Sequence, residues 1–180
     1  MKTILLTFFA LATLSLSECG EDDDDTAVIL GAAEQAASKG KHIDAVLQLK
    51  TLLAENPKET EARVALGKIY TVLGDPQQAA KEFERAISAD TTEPQTYQLW
   101  LSAKNDAGQS SDVLNWFEQP KQPDLGALGR VIKAQAEWFN GLRNHKDFIE
   151  VLDEVASDPS ARRAASVVGR ESHRVDTLQT

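Results

Sequence analysis

Glycine recurs along this chain at a fixed interval. Gly40, Gly74 and Gly108 stand 34 residues apart, and Gly141 follows after 33. Beyond each comes an apolar triplet: Ala45-Leu49-Leu52, Ala79-Phe83-Ala86 and Val113-Phe117-Pro120, then Phe148-Leu152-Val155 behind a loop two residues longer. Steps of four and three residues put such side chains on one helical stripe. A period of this length belongs to a helix–turn–helix unit that cannot bury its apolar face alone and stacks on its own copies. The chain is therefore expected to be an all-α solenoid of about four repeats, at 26–59, 60–93, 94–127 and 128–161, with an incomplete fifth.

The second unit is the most regular. Leu66-Gly67-Lys68-Ile69-Tyr70 sets a small residue and an aromatic three apart on a first helix, so a neighbouring helix can approach at Gly67. Gly74 closes that helix, Asp75 caps the next and Pro76 takes its first position. These residues resemble the tetratricopeptide repeat (TPR) family, whose helix pairs carry Leu-Gly-x-x-Tyr, then Ala-x-x-x-Phe-x-x-Ala. The likeness implies repeat packing through Gly67, Tyr70, Ala79, Phe83 and Ala86. Trp100 and Leu101 hold the leucine–glycine positions of the third unit, and Trp138 holds the aromatic position of the fourth. Pro159 to Gly169 replays Pro57 to Gly67, so a fifth repeat opens near Arg162 and gives way to a polar tail ending at Thr180.

The N-terminus reads as an export signal. Lys2 precedes an apolar stretch from Ile4 to Leu16, too short to span a bilayer comfortably, so 1–18 is taken as a signal peptide. The only cysteine, Cys19, follows directly and has no partner for an internal disulfide. Leu16-Ser17-Glu18-Cys19 resembles the lipobox of bacterial lipoproteins, whose cysteine becomes the lipid-modified N-terminus, although that family carries Gly, Ala or Ser where this chain has Glu18. Cleavage after Ser17 without lipidation is the alternative. Residues 20–25, with the acidic run Glu21 to Asp25, are expected to form a charged, self-repelling tether from anchor to repeats, since adjacent aspartates lack the spacing and glycine turn of a calcium loop.

Chemistry finds little foothold. A net charge of −9 argues against a general nucleic-acid binder. His42, His145 and His173 lie far apart in repeat register, the lone cysteine gives no zinc spacing, and the glycines punctuate turns instead of forming a phosphate loop. Trp100, Trp116 and Trp138 sit among apolar neighbours, which favours packing over base stacking. No catalytic residue, metal or cofactor is expected.

The TPR likeness implies a concave groove lined by the first helix of each repeat. On this register it holds Ala27, Leu30, Glu34 and Ala37, then Glu61, Val64, Lys68 and Thr71, then Gln95, Gln98, Ser102 and Asn105. Such a mixture suits a protein or peptide segment, with Lys68 selecting an acidic or carboxylate group. The family's carboxylate clamp needs Lys and Asn where this chain has Leu30, Glu34, Ala65, Gln95 and Leu99, so a co-chaperone role is disfavoured.

Gly40 to Leu53 and Ala62 to Gly74, taken with the anchor candidate and tether, resemble the TPR lipoproteins of exosortase/PEP-CTERM systems. The resemblance implies a binding scaffold at a periplasmic membrane face, linked to exopolysaccharide or surface-protein sorting. Alternatives are an assembly factor for outer-membrane or pilus machinery, and a helical accessory part of an envelope enzyme.

Overall fold

The computed structural model describes residues 21–89 and 93–158. Cys19, the signal stretch, and the fifth repeat with its tail lie outside the described residues. Those described form eight α-helices and no strand: α1 (Glu21–Ser38), α2 (His42–Glu55), α3 (Thr60–Val72), α4 (Pro76–Ser88), α5 (Pro94–Asp106), α6 (Ser110–Glu118), α7 (Gly126–Phe139) and α8 (His145–Ser157). Each helix packs chiefly on its chain neighbours, while α1 also meets α3 and α5 also meets α7. The result is a TPR-like solenoid of four helical hairpins.

One turn recurs four times. At Gly74 the backbone takes φ 73°, a region closed to most side chains. Its N–H donates to the Thr71 carbonyl and the next N–H, of Asp75, donates to that of Tyr70, so two orphan carbonyls at the end of α3 are satisfied. Gly40, Gly108 and Gly141 repeat the same pair of bonds with φ between 69° and 76°. Asp75 then accepts a bond from the Gln78 N–H, and Pro76 occupies the first turn of α4. In the fourth hairpin the longer loop ends at Asn144, whose side chain caps α8 through the Asp147 N–H.

The core is a chain of linked clusters. Ala33, Ala45, Leu49, Leu52, Ala62, Leu66 and Ile69 join the first three helices. Ala79, Ala80, Phe83 and Ala103 join α4 to α5, with Tyr70 packed alongside. Leu101, Val113, Leu125, Ile132 and Ala136 continue through α7, and Val131 with Val155 closes onto α8. The Lys50 ammonium lies 5.7 Å over the Tyr70 ring, and a hydrogen bond to Tyr70 raises it above the ordinary lysine value.

Gly67 is where the second hairpin closes. A Cβ there would stand 2.6 Å from the Phe83 ring, so only glycine lets the ring pack this closely on α3. Leu101 occupies the equivalent position of α5 and is fully buried, while Phe117, the counterpart of Phe83, is only half-buried. Accordingly α5 and α6 pack least closely of the four hairpins. An aromatic group fills the space: Trp116 lies 5.9 Å from Tyr97, 6.4 Å from Trp100 and 5.1 Å from Phe117. In the fourth hairpin Trp138 stacks on Phe148 at 5.2 Å.

One expectation changes. The acidic run from Glu21 is not an extended linker, because α1 begins at Glu21. Negative charge in the opening turns complements the helix dipole, so a run that reads as self-repelling linker also suits a helix start. In the third unit α6 ends at Glu118, and Pro120 is exposed beyond it.

Candidate functional site

Where α3 and α5 scarcely touch, a cavity of about 560 Å³ opens. Leu30, Glu34 and Ala37 come from α1; Thr60, Glu61, Val64, Ala65 and Lys68 from α3; Gln95, Thr96 and Leu99 from α5, with Glu93 at its N-cap. Leu49 and Ile69 lie beneath. The volume falls in the range of built ligand sites. Helical spacing explains the lining: positions 61, 64, 65 and 68 of α3 form one stripe, beside the Ala62–Leu66–Ile69 side that enters the core.

Seven of the groove residues named from sequence meet here: Leu30, Glu34, Ala37, Glu61, Val64, Lys68 and Gln95. The others do not line it. Thr71 is exposed beyond the cavity and turns its hydroxyl back to the Gly67 carbonyl at 3.1 Å. Ser102 is half-buried on α5. Gln98 donates to the Leu125 carbonyl at 3.0 Å. Asn105 is 2 % exposed and donates to the Ile132 carbonyl at 3.0 Å and to the Gln135 side chain at 3.4 Å. Asn105 is thus an interior residue, not an open groove contact. The cause is direct packing of α5 on α7, which closes the concave face over the third and fourth hairpins.

Thr60, Glu93 and Thr96 were not singled out from sequence. Glu93 and Thr96 flank Pro94, a helix-start signal that marks the mouth of any groove built from first helices. Among the described residues, Glu34, Glu61, Glu93 and Lys68 form no ion pair, whereas Glu82, buried on α4, holds Arg63 at 3.0 Å and Arg85 at 2.7 Å. Arg63 also donates to the Pro57 carbonyl, tying α3, α4 and the loop before α3. No group of three or more His, Cys, Asp or Glu residues able to hold a metal occurs among the described residues. His42 is half-buried at the start of α2, and His145 lies 5.5 Å from the Trp138 ring. No described helix is long and apolar enough to cross a membrane.

Residues 36–99, which span α2, α3, α4 and the ends of their neighbours, match the tetratricopeptide repeat family model. Two solved structures share the fold. An O-GlcNAc transferase mutant from Thermobaculum terrenum superposes with a TM-score of 0.62 at 16 % identity, over 78 % of this chain. The chain spans only 27 % of that enzyme's length. YrrB, described as a TPR protein with an unusual peptide-binding site, superposes with a TM-score of 0.60 at 16 % identity, over 85 % of this chain and 80 % of its own. No curated protein matches the sequence. Fold and family match together define a helical repeat of the kind that serves as a protein-interaction scaffold.

Proposed function

We propose that this chain is a non-catalytic scaffold of the bacterial cell envelope that captures a protein or peptide segment in the groove between α1, α3 and α5. The observation that carries the binding role is the open cavity itself, half-walled by apolar side chains and rimmed by charged groups without ion-pair partners among the described residues. Export rests on Lys2 and the apolar run to Leu16, and membrane attachment on the lipobox-like Leu16 to Cys19. The likeness of Gly40 to Leu53 and Ala62 to Gly74 to exosortase/PEP-CTERM lipoproteins supports a role near exopolysaccharide or surface-protein sorting. Mass spectrometry of the mature protein tests the anchor: a diacylated Cys19 supports it, and a free thiol in a chain starting at Glu18 or Cys19 refutes it.

Panning a displayed random-peptide library against the full chain tests the groove. Enriched peptides should lose affinity for a Val64→Gln, Leu99→Gln double variant and keep it for Lys81→Ala, Glu84→Ala on the exposed side of α4. The reverse pattern would put docking on the convex face. A second reading, favoured by the match to part of the transferase, makes the same groove a recognition arm of a longer enzyme. A catalytic domain encoded in the same reading frame would support it.

A further inference from the structure

The charge of the groove points to its occupant. Its rim carries three carboxylates, Glu34, Glu61 and Glu93, against one ammonium, Lys68, and none of the four is ion-paired among the described residues. Unpaired carboxylates converging on one concavity leave a negative potential, which low-dielectric walls focus and a cationic ligand would relieve. Beneath the rim lies an apolar floor. Leu30, Val64, Ala65 and Leu99 are each half-buried, with part of their apolar surface turned to the cavity. A free cation would leave that floor wet, and an uncharged apolar segment would strand the carboxylates.

Resting on the groove reading above, we infer that the occupant is a basic, amphipathic protein segment, with Leu- or Val-type side chains on the floor and Lys or Arg side chains reaching Glu34, Glu61 and Glu93. Lys68 then acts as a filter. It repels a cation placed over the middle of α3 and so fixes where along the segment the basic residues must fall.

Two short dye-labelled peptides with the same leucine pattern, one carrying lysines and one carrying glutamates, are titrated by fluorescence anisotropy into the full chain. The lysine peptide is expected to bind at least about tenfold more tightly, by summation of several modest charge pairs, and to weaken as salt rises. Glu34→Gln, Glu61→Gln, Glu93→Gln should abolish that preference, with circular dichroism unchanged because these side chains make no ion pair among the described residues. Equal or tighter binding of the glutamate peptide, or a preference that survives the triple variant, overturns the inference while leaving the groove intact. Failure of both peptides to bind overturns it too. Binding of the lysine peptide that is insensitive to Val64→Gln with Leu99→Gln refutes the groove reading itself.

Discussion

Gly67 shows how much a single position can decide. The small residue three before Tyr70 reads from sequence as a point of close approach, and the Phe83 ring is what approaches it. Gly67→Ala is therefore expected to destabilise the protein by about 1–3 kcal/mol, since one methyl group overpacks a fully buried contact. Thermal unfolding measures this. An unchanged midpoint would mean that the ring has another place to go. The partnership of Arg63 with Glu82 was not legible in the same way. Periodicity marks which face of α4 is apolar, and Glu82 sits at the margin of that face, where a charge reads as solvated. Only the fold reveals that α3 delivers a guanidinium to it at 3.0 Å.

At the scale of elements, the glycine period and apolar stripes located all four hairpins, because both signals are local to one helix or one turn. The two discrepancies are not local. An acidic run carries no stripe, so nothing in it separates a tether from the opening turns of α1. Whether a first helix faces solvent or the next first helix depends on how closely its own hairpin closes. Leu101 in place of glycine loosens α5 from α6, and α5 instead leans on α7 through Gln98 and Asn105. Asn105→Ala should then cost about 1–3 kcal/mol, the usual range for losing a buried hydrogen bond. Hydrogen exchange should quicken in α7, with peptide affinity at the groove unaltered. Weakened peptide binding with α7 still protected would return Asn105 to the groove.

Across the whole molecule, stability passes from each hairpin to the next, as in any solenoid. The groove is built from both sides of the middle junction, with α1 and α3 on one side and α5 on the other. Yet α3 and α5 scarcely touch, so α4 fixes the distance between the walls through Ala79, Ala80 and Phe83 on one side and Ala103 on the other. Phe83 lines no part of the cavity but is fully buried at this hinge. Phe83→Ala should remove about 3–5 kcal/mol of packing, the usual range for an emptied aromatic site. Nearest-neighbour coupling adds a second consequence. The array should unfold in two steps, with α1 to α3 separating from α5 to α8, and groove affinity should fall although every residue that touches the ligand is intact. Calorimetry with site-specific fluorescence at Trp116 and Trp138, which pack on the C-terminal side, would resolve the two steps. A single transition sharing one midpoint in calorimetry and fluorescence, with full peptide affinity below it, would show that the halves are held together by more than α4.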